Sequence, residues 1–231
     1  MELVKGPVVD RPGNRRLTPV VKPFVTSLLL VGASFLTSSA SAQDTQRWRL
    51  DFEADAPKYV SVQDAQGAAR SIWYVTYRVK NESGAERPLA LGFRFITDLK
   101  DPKDLDKPLT YKAQINPEAK KAVEQRLGKE LAGIADIAGA KIGDGDTVEG
   151  IVTFGELNPN VDQLDLEVRG LVDPLSREGD RAFVERKVYL IHFNRKGDEF
   201  LVTLDTVKKK SAEWKVLSRE EVPLPKKYGG R

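Results

Sequence analysis

Alternation of apolar and polar side chains at a period of two constrains this chain more than any other feature. Ser71 to Lys80 reads Ser-Ile-Trp-Tyr-Val-Thr-Tyr-Arg-Val-Lys, placing Trp73, Val75, Tyr77 and Val79 on one face. Successive side chains of an extended strand point to opposite faces, and β-branched and aromatic residues suit a pleated surface. Arg47 to Glu53 repeats the pattern, with Trp48, Leu50 and Phe52 inward and charges outward, and Tyr59 to Val62 resumes it beyond Pro57. Asn81-Glu82-Ser83-Gly84 predicts a turn, after which Leu89, Leu91, Phe93 and Phe95 form a returning inner face.

The alternation lapses in the middle of the chain. Asp98 to Pro108 reads as a polar loop. Asn116-Pro117-Glu118 then gives an N-cap, a proline at the first helical position and an acid in the first turn. Ala119, Ala122, Val123 and Leu127 continue a helical stripe that stops at Gly128, and Leu131, Ile134, Ala135 and Ala138 suit a second short helix. Strands resume from Thr147 to Phe154 and from Val161 to Arg169, where Leu164, Leu166 and Val168 face inward and Asp165 and Glu167 outward. Phe183 to Phe193 is apolar on both faces near its end and is expected at the centre of a sheet. Phe200 to Leu204 reads as a further strand, and residues 208–231 as a basic, flexible tail. The expected fold is mainly β, an antiparallel immunoglobulin-like sandwich over residues 43–207 with a short helical insertion at 117–138.

The first 42 residues follow a different logic. Arg11, Arg15, Arg16 and Lys22 precede the apolar run Phe24 to Leu36, and Ala40-Ser41-Ala42 has the small-x-small form of a signal peptidase site. Residues 1–42 are therefore expected to be a signal peptide, with Gln43 opening the mature chain and the membrane met only in transit. The whole chain of 231 residues carries 37 bases against 34 acids, but the leader holds five of those bases and two of the acids. The remaining 189 residues balance at 32 of each, which removes the basic surface a nucleic-acid partner needs. The absence of cysteine excludes disulfides, thiolate metal sites and a cysteine nucleophile, and one histidine excludes multi-histidine metal sites.

Several of these segments also carry a likeness. Trp73 to Asn81, Glu86-Arg87-Pro88, Gly150 to Phe154 and the leucine-rich strand ending Arg169-Gly170-Leu171 resemble an uncharacterised family of exported bacterial proteins with an immunoglobulin-like β-sandwich. The likeness spans residues 47 to 206. It implies export and a sandwich, and it supplies no activity and no site residues.

Candidate chemistry is sparse. His192 shares its strand with Val188 and Leu190 and lacks a nucleophile-elbow serine, so a structural, hydrogen-bonded histidine is expected. Asp98, Asp101, Asp104 and Asp106 could in principle wrap calcium, but Lys100, Lys103 and Lys107 interleave and no EF-hand spacing is present. Asp144 and Asp146 pose the same question in a sequence that a tight turn already explains. Asp165 and Glu167 have the spacing of a carboxylate pair for glycoside hydrolysis, yet their alternation predicts a wet sheet face. Lys208-Lys209-Lys210 with Trp214-Lys215, followed by Lys226-Lys227-Tyr228, forms the one local basic concentration, suited to an acidic envelope polymer or anionic lipid.

The sequence therefore supports an exported, periplasmic or extracellular, non-catalytic binding or structural module of the bacterial cell envelope. It names no catalytic, cofactor-binding or metal residues and no cofactor, and the expected partner is an unidentified protein or an envelope polymer. Asp98 to Ile115 and the helical insertion are the expected contact surface. A carboxylate-dependent envelope hydrolase and a calcium-dependent adhesion-like module are the alternatives.

Overall fold

The computed structural model describes residues 47–195 and 207–223. In chain order the elements are β1 (Leu50–Ala54), β2 (Lys58–Gln63), β3 (Ala69–Asn81), β4 (Arg87–Pro88), β5 (Gly92–Asp101) and β6 (Asp104–Lys112). Then come α1 (Pro117–Leu127), α2 (Ile134–Ile137), β7 (Lys141–Ile142), β8 (Thr147–Gly155) and β9 (Gln163–Arg169). The last are β10 (Leu175–Glu178), β11 (Arg181–Arg195) and β12 (Val207–Val222). The protein is mainly β and its sheets are antiparallel, as the alternation predicts.

β3 organises the first sheet. One of its edges is shared end to end by β1, from Leu50 opposite Asn81 to Ala54 opposite Tyr77, and by β2, from Lys58 opposite Tyr74 to Gln63 opposite Ala69. Pro57 lies between them, where a ladder donor is missing. β8 takes the other edge of β3. The second sheet runs β12–β11–β9–β5–β6, with β10 beside the start of β11. The sheets also touch at their margins, Gln114 bridging to Thr153 and Arg49 to Val172, in keeping with a sheet curled as a half-barrel.

One apolar core joins the sheets. Trp73, Val75, Tyr77 and Val79 meet Phe93, Phe95, Leu164, Leu166, Ile191 and Phe193, all buried. The Phe95 and Phe154 rings lie 4.0 Å apart, and each burial of this kind contributes about 2 to 3 kcal/mol. A second core forms on the opposite face of β3, where Ala119 and Val123 of α1 cover Val60, Ile72, Tyr74 and Ile151. The consecutive apolar residues Ile72-Trp73-Tyr74 are thus explained by burial on both sides. α1 starts as its sequence predicts, with Asn116 Oδ1 accepting from Ala119 N at 2.8 Å, and ends at Gly128 in the left-handed region.

Two glycines are set by close approach. A Cβ at Gly150 would meet the Tyr77 ring at 2.3 Å, and one at Gly170 would stand 2.1 Å from the Ala90 carbonyl oxygen. Gly170 also has φ +83°, so no other residue fits the exit from β9.

Three expectations are corrected. Asp98 to Pro108 is no loop: β5 and β6 run through it as a hairpin turning between Asp101 and Asp104. Its backbone ladder needs no buried face, so a charged sequence serves, and Asp101 Oδ1 and Asp104 Oδ1 accept turn N–H groups from Lys103 and Asp106. Residues 208–222 are not a flexible tail but the body of β12, paired along nearly all of β11. The outer edge of β11 presents a row of backbone groups that requires a partner, and half-buried Ala212 and Trp214 pack on the core while the lysines stay wet. Glu167 is not on a wet face: it is 1% exposed, clamped by Arg94 and Arg169 at 2.7 Å each. The proposed leader, the strand at Phe200 to Leu204 and Lys226-Lys227-Tyr228 lie outside the described residues.

Candidate ligand cleft

The residues singled out for chemistry are mostly dispersed. Asp98 accepts from the Asp162 backbone N–H, Asp104 pairs with Lys107 at 2.6 Å, and Asp144 accepts from Gly84 N across the β3 turn. Among the described residues no group of three or more His, Asp or Glu side chains is arranged to hold a metal ion. Lys208, Lys209 and Lys210 stand exposed along β12.

His192 is the exception, because the sheet brings acids to it. It lies opposite Asp165 on β9 and Ser211 on β12, with Nδ1 2.6 Å from Asp165 Oδ1 and Nε2 3.7 Å from Glu213 Oε1. The contact to Asp165 orients the ring, and Glu213 lies beside the second nitrogen. This row lies outside a concavity at the sheets' margins.

That concavity forms where the first sheet's leading strand meets the turn after β9. Leu50 N donates to Leu171 O at 2.8 Å and Asp173 N to Trp48 O at 3.1 Å, so Trp48 is held between the sheets' margins. Two lobes open beside it. The polar lobe, about 680 Å³, is lined by Arg47, Arg49, Asp51, Glu82 and the Ser83–Gly84 turn. The other, about 500 Å³, has an apolar wall of Pro88, Ala90, Pro174, Val184, Val188 and Leu217, with Arg169 and Arg186 also lining it. Trp48, Val172 and Lys187 line both lobes.

One bulge of the β11/β12 pair shapes the second lobe. Arg186 faces Ser218 and Lys187 faces Val216, which leaves Leu217 as the extra residue of a bulge. Leu217 is 42% exposed and Val184 37%. With Leu175 and Val216 they are four of the seven large apolar side chains exposed among the described residues, all on β10, β11 and β12. Such clustering departs from the scatter expected of a free surface.

Electrostatics of the rim divide into bound and free charge. Glu185, with a side chain only 11% exposed, accepts from Arg47 Nη1 at 2.6 Å and lies 3.4 Å from Arg219 Nε. The hydrogen bond from Arg47 holds the Glu185 carboxyl below the usual carboxylate range, against the opposing effect of burial. Arg169 is engaged by Glu167, and the Arg87 guanidinium stacks 5.8 Å from the Trp48 ring centre, anchored by Nε donating to Ser83 Oγ at 2.7 Å. Lys187 sits 5.5 Å above the Trp214 ring, and neither Lys187 nor Arg186 forms an ion pair among the described residues. The cleft thus pairs an apolar wall with two cations that stand outside any ion pair among the described residues.

Sequence reasoning missed this site. Trp48 read only as an inward residue of the first strand, and Val216-Leu217 fell in the supposed tail. The signal present was the aromatic flanked by Arg47 and Arg49, together with two adjacent aliphatics in a charge-rich segment. Compared with known protein families, curated proteins and solved structures, the chain has no match. Among the described residues no helix is long and apolar enough to cross a membrane.

Proposed function

We propose that this chain is an exported, non-catalytic binding module of a bacterial cell envelope, built on an immunoglobulin-like sandwich. The sandwich reading is supported by strand order. With β1 and β2 taken as strand A, β3 as B, β5 and β6 as C and C′, β8 as E, β9 as F and β11 as G, the sheets read A-B-E and G-F-C-C′, the second extended beyond G by β12 and carrying β10 beside the start of G. The export reading rests on the leader-like residues 1–42, and the resemblance to exported bacterial proteins agrees with it.

The observation that carries the binding role is the Trp48 cleft, an apolar wall bordered by Lys187 and Arg186, neither of which forms an ion pair among the described residues. It moves the contact surface from the residues around Asp98 to the opposite margin of the second sheet. The hydrolase alternative draws on the Asp165–His192–Glu213 grouping. That grouping contributes no side chain to either lobe, so a substrate seated in the cleft would not reach it.

Both parts can be tested in cells expressing the full chain. The exported fraction should contain protein whose N-terminus is Gln43. A photoreactive residue at position 217 should give discrete adducts, identified by mass spectrometry, that are lost with Trp48→Ala and absent when the probe stands at position 105. Equal adducts from both positions, or none from 217, would overturn the binding role.

A further inference from the structure

We infer that the cleft binds a single-chain anionic amphiphile, its hydrocarbon against the apolar lobe and its anionic group beside Lys187. This deepens the binding-module reading and rests on it. The argument begins with shape. Volumes of about 500 and 680 Å³ fall within the roughly 300–1,000 Å³ typical of small-molecule sites. The two lobes differ in character and share Trp48, Val172 and Lys187, so one ligand crossing that junction passes from an apolar wall to a polar one.

Charge selects the sign of the head group. Among lining residues five cations face three acids, and the acids are already engaged. Glu185 is held by Arg47 and Arg219, Glu82 is paired with Lys80, and Asp51 lies 4.0 Å from Arg49. The lining cations outside any ion pair among the described residues are Lys187, which lies over the Trp214 ring, and Arg186. Both flank the bulge that exposes Leu217, so cation and apolar contact lie together. A neutral amphiphile would leave these cations unused, and a small anion would leave Val184 and Leu217 exposed to water. An alkyl anion satisfies both.

The test is calorimetric titration of the protein purified from cells expressing the full chain, using sodium dodecanoate below its micellar range. Butyrate, dodecyl maltoside and phosphatidylglycerol vesicles serve as comparison probes. Saturable binding of dodecanoate is expected, no binding of butyrate, and affinity for dodecyl maltoside weaker by about tenfold. Leu217→Asp, at an exposed position, should weaken dodecanoate binding by about tenfold or more, since it sets a carboxylate against the chain. Lys187→Gln should weaken dodecanoate by about fivefold, leave dodecyl maltoside unchanged and flatten the salt dependence. Circular dichroism melts confirm that both variants fold, and Val184→Asp replaces Leu217→Asp if that variant does not.

The inference is overturned if dodecanoate shows no saturable binding, if the maltoside binds as tightly, or if both variants bind like the parent. Binding to vesicles alone, unaffected by Leu217→Asp, also overturns it. Any of these failures leaves the binding-module reading intact, because that reading stands or falls on adducts from position 217 whatever their chemistry.

Discussion

Asn81 and Tyr77 lie on the same inward face of β3, and both are almost wholly buried, at 0% and 4% exposure. Their polar groups meet opposite fates. Asn81 ends the strand and is fully used: Nδ2 donates to the carbonyls of Ala85 and Ile142 at 2.8 and 2.9 Å, and Oδ1 accepts from Ser83 N at 3.0 Å. Its backbone also exchanges hydrogen bonds with the Gly143–Asp146 turn. The Tyr77 hydroxyl, one helical-turn's worth of sequence earlier, has no partner among the described residues. Its ring stacks between Phe52 and Phe93 and lies over Gly150. The end of β3 is held by polar complementarity, and its middle by aromatic packing that carries a hydroxyl along at a cost.

The largest expected effect follows from the first of these. Asn81→Leu removes three side-chain hydrogen bonds and takes the amide away from the Ile142 carbonyl and the Ser83 N–H, while the exposed Ala85 carbonyl keeps Ser83 Oγ, for a loss of about 2 to 3 kcal/mol. Urea unfolding of the parent and the variant measures it. A loss under about 1 kcal/mol would mean that water replaces the amide at this turn, and the contrast with Tyr77 would collapse.

Glu185 is the intermediate case, a partly buried charge with good partners. Replacing it with Gln keeps the shape but withdraws the charge from Arg47 and Arg219, and the expected loss at neutral pH is about 1 to 2 kcal/mol. The pH dependence fixes the sign. The Arg47 hydrogen bond depresses the folded-state pKa of Glu185, so its stabilisation is complete above the unfolded value of about 4.3 and is lost as pH falls through the folded value. Parent and Glu185→Gln should therefore differ at pH 7 and converge in acid, as read by denaturant midpoints across that range. A gap that stays constant down to pH 2 would show that the loss comes from packing and not from charge.

These three residues also show what could be read ahead of the coordinates. Tyr77 was legible as an inward residue because alternation reports the face a side chain takes, and Asn81 as a turn residue because its neighbours are turn formers. The partners of either were not legible: Ile142 is 61 residues from Asn81, and nothing local in the sequence encodes that approach. The same limit explains the cleft. Trp48, Lys187 and Leu217 come from three distant segments, and a bulge in β12 exposes Leu217. β12 itself was hidden because an edge strand on an exposed margin needs few apolar residues. Its charges read as solvation when they also guard an open edge. Glu167 was misplaced because alternation predicts its face correctly but says nothing of Arg94 and Arg169 closing over it.

The smallest effect is the most diagnostic of the opening contrast. Tyr77→Phe deletes a buried hydroxyl that makes no hydrogen bond among the described residues and leaves the ring contacts with Phe52, Phe93 and Gly150 in place. Because burying an unpartnered hydroxyl is unfavourable, the variant should equal the parent or exceed it by about 0.5 to 1 kcal/mol at pH 7. Alkaline titration separates this from a simple packing change. Burial pushes the Tyr77 phenol well above its ordinary range, with the negative charge of Asp136 adding to the shift. A raised folded pKa gives a contribution that is complete below the unfolded value of about 10 and is lost as pH rises beyond it, because the unfolded chain ionises first. The parent should therefore lose stability above pH 10 faster than Tyr77→Phe, and the gap between them should widen with pH. A destabilised variant with no such widening would mean that the hydroxyl has a partner, such as a buried water, and that the middle of β3 is held by polar contacts much as its end is.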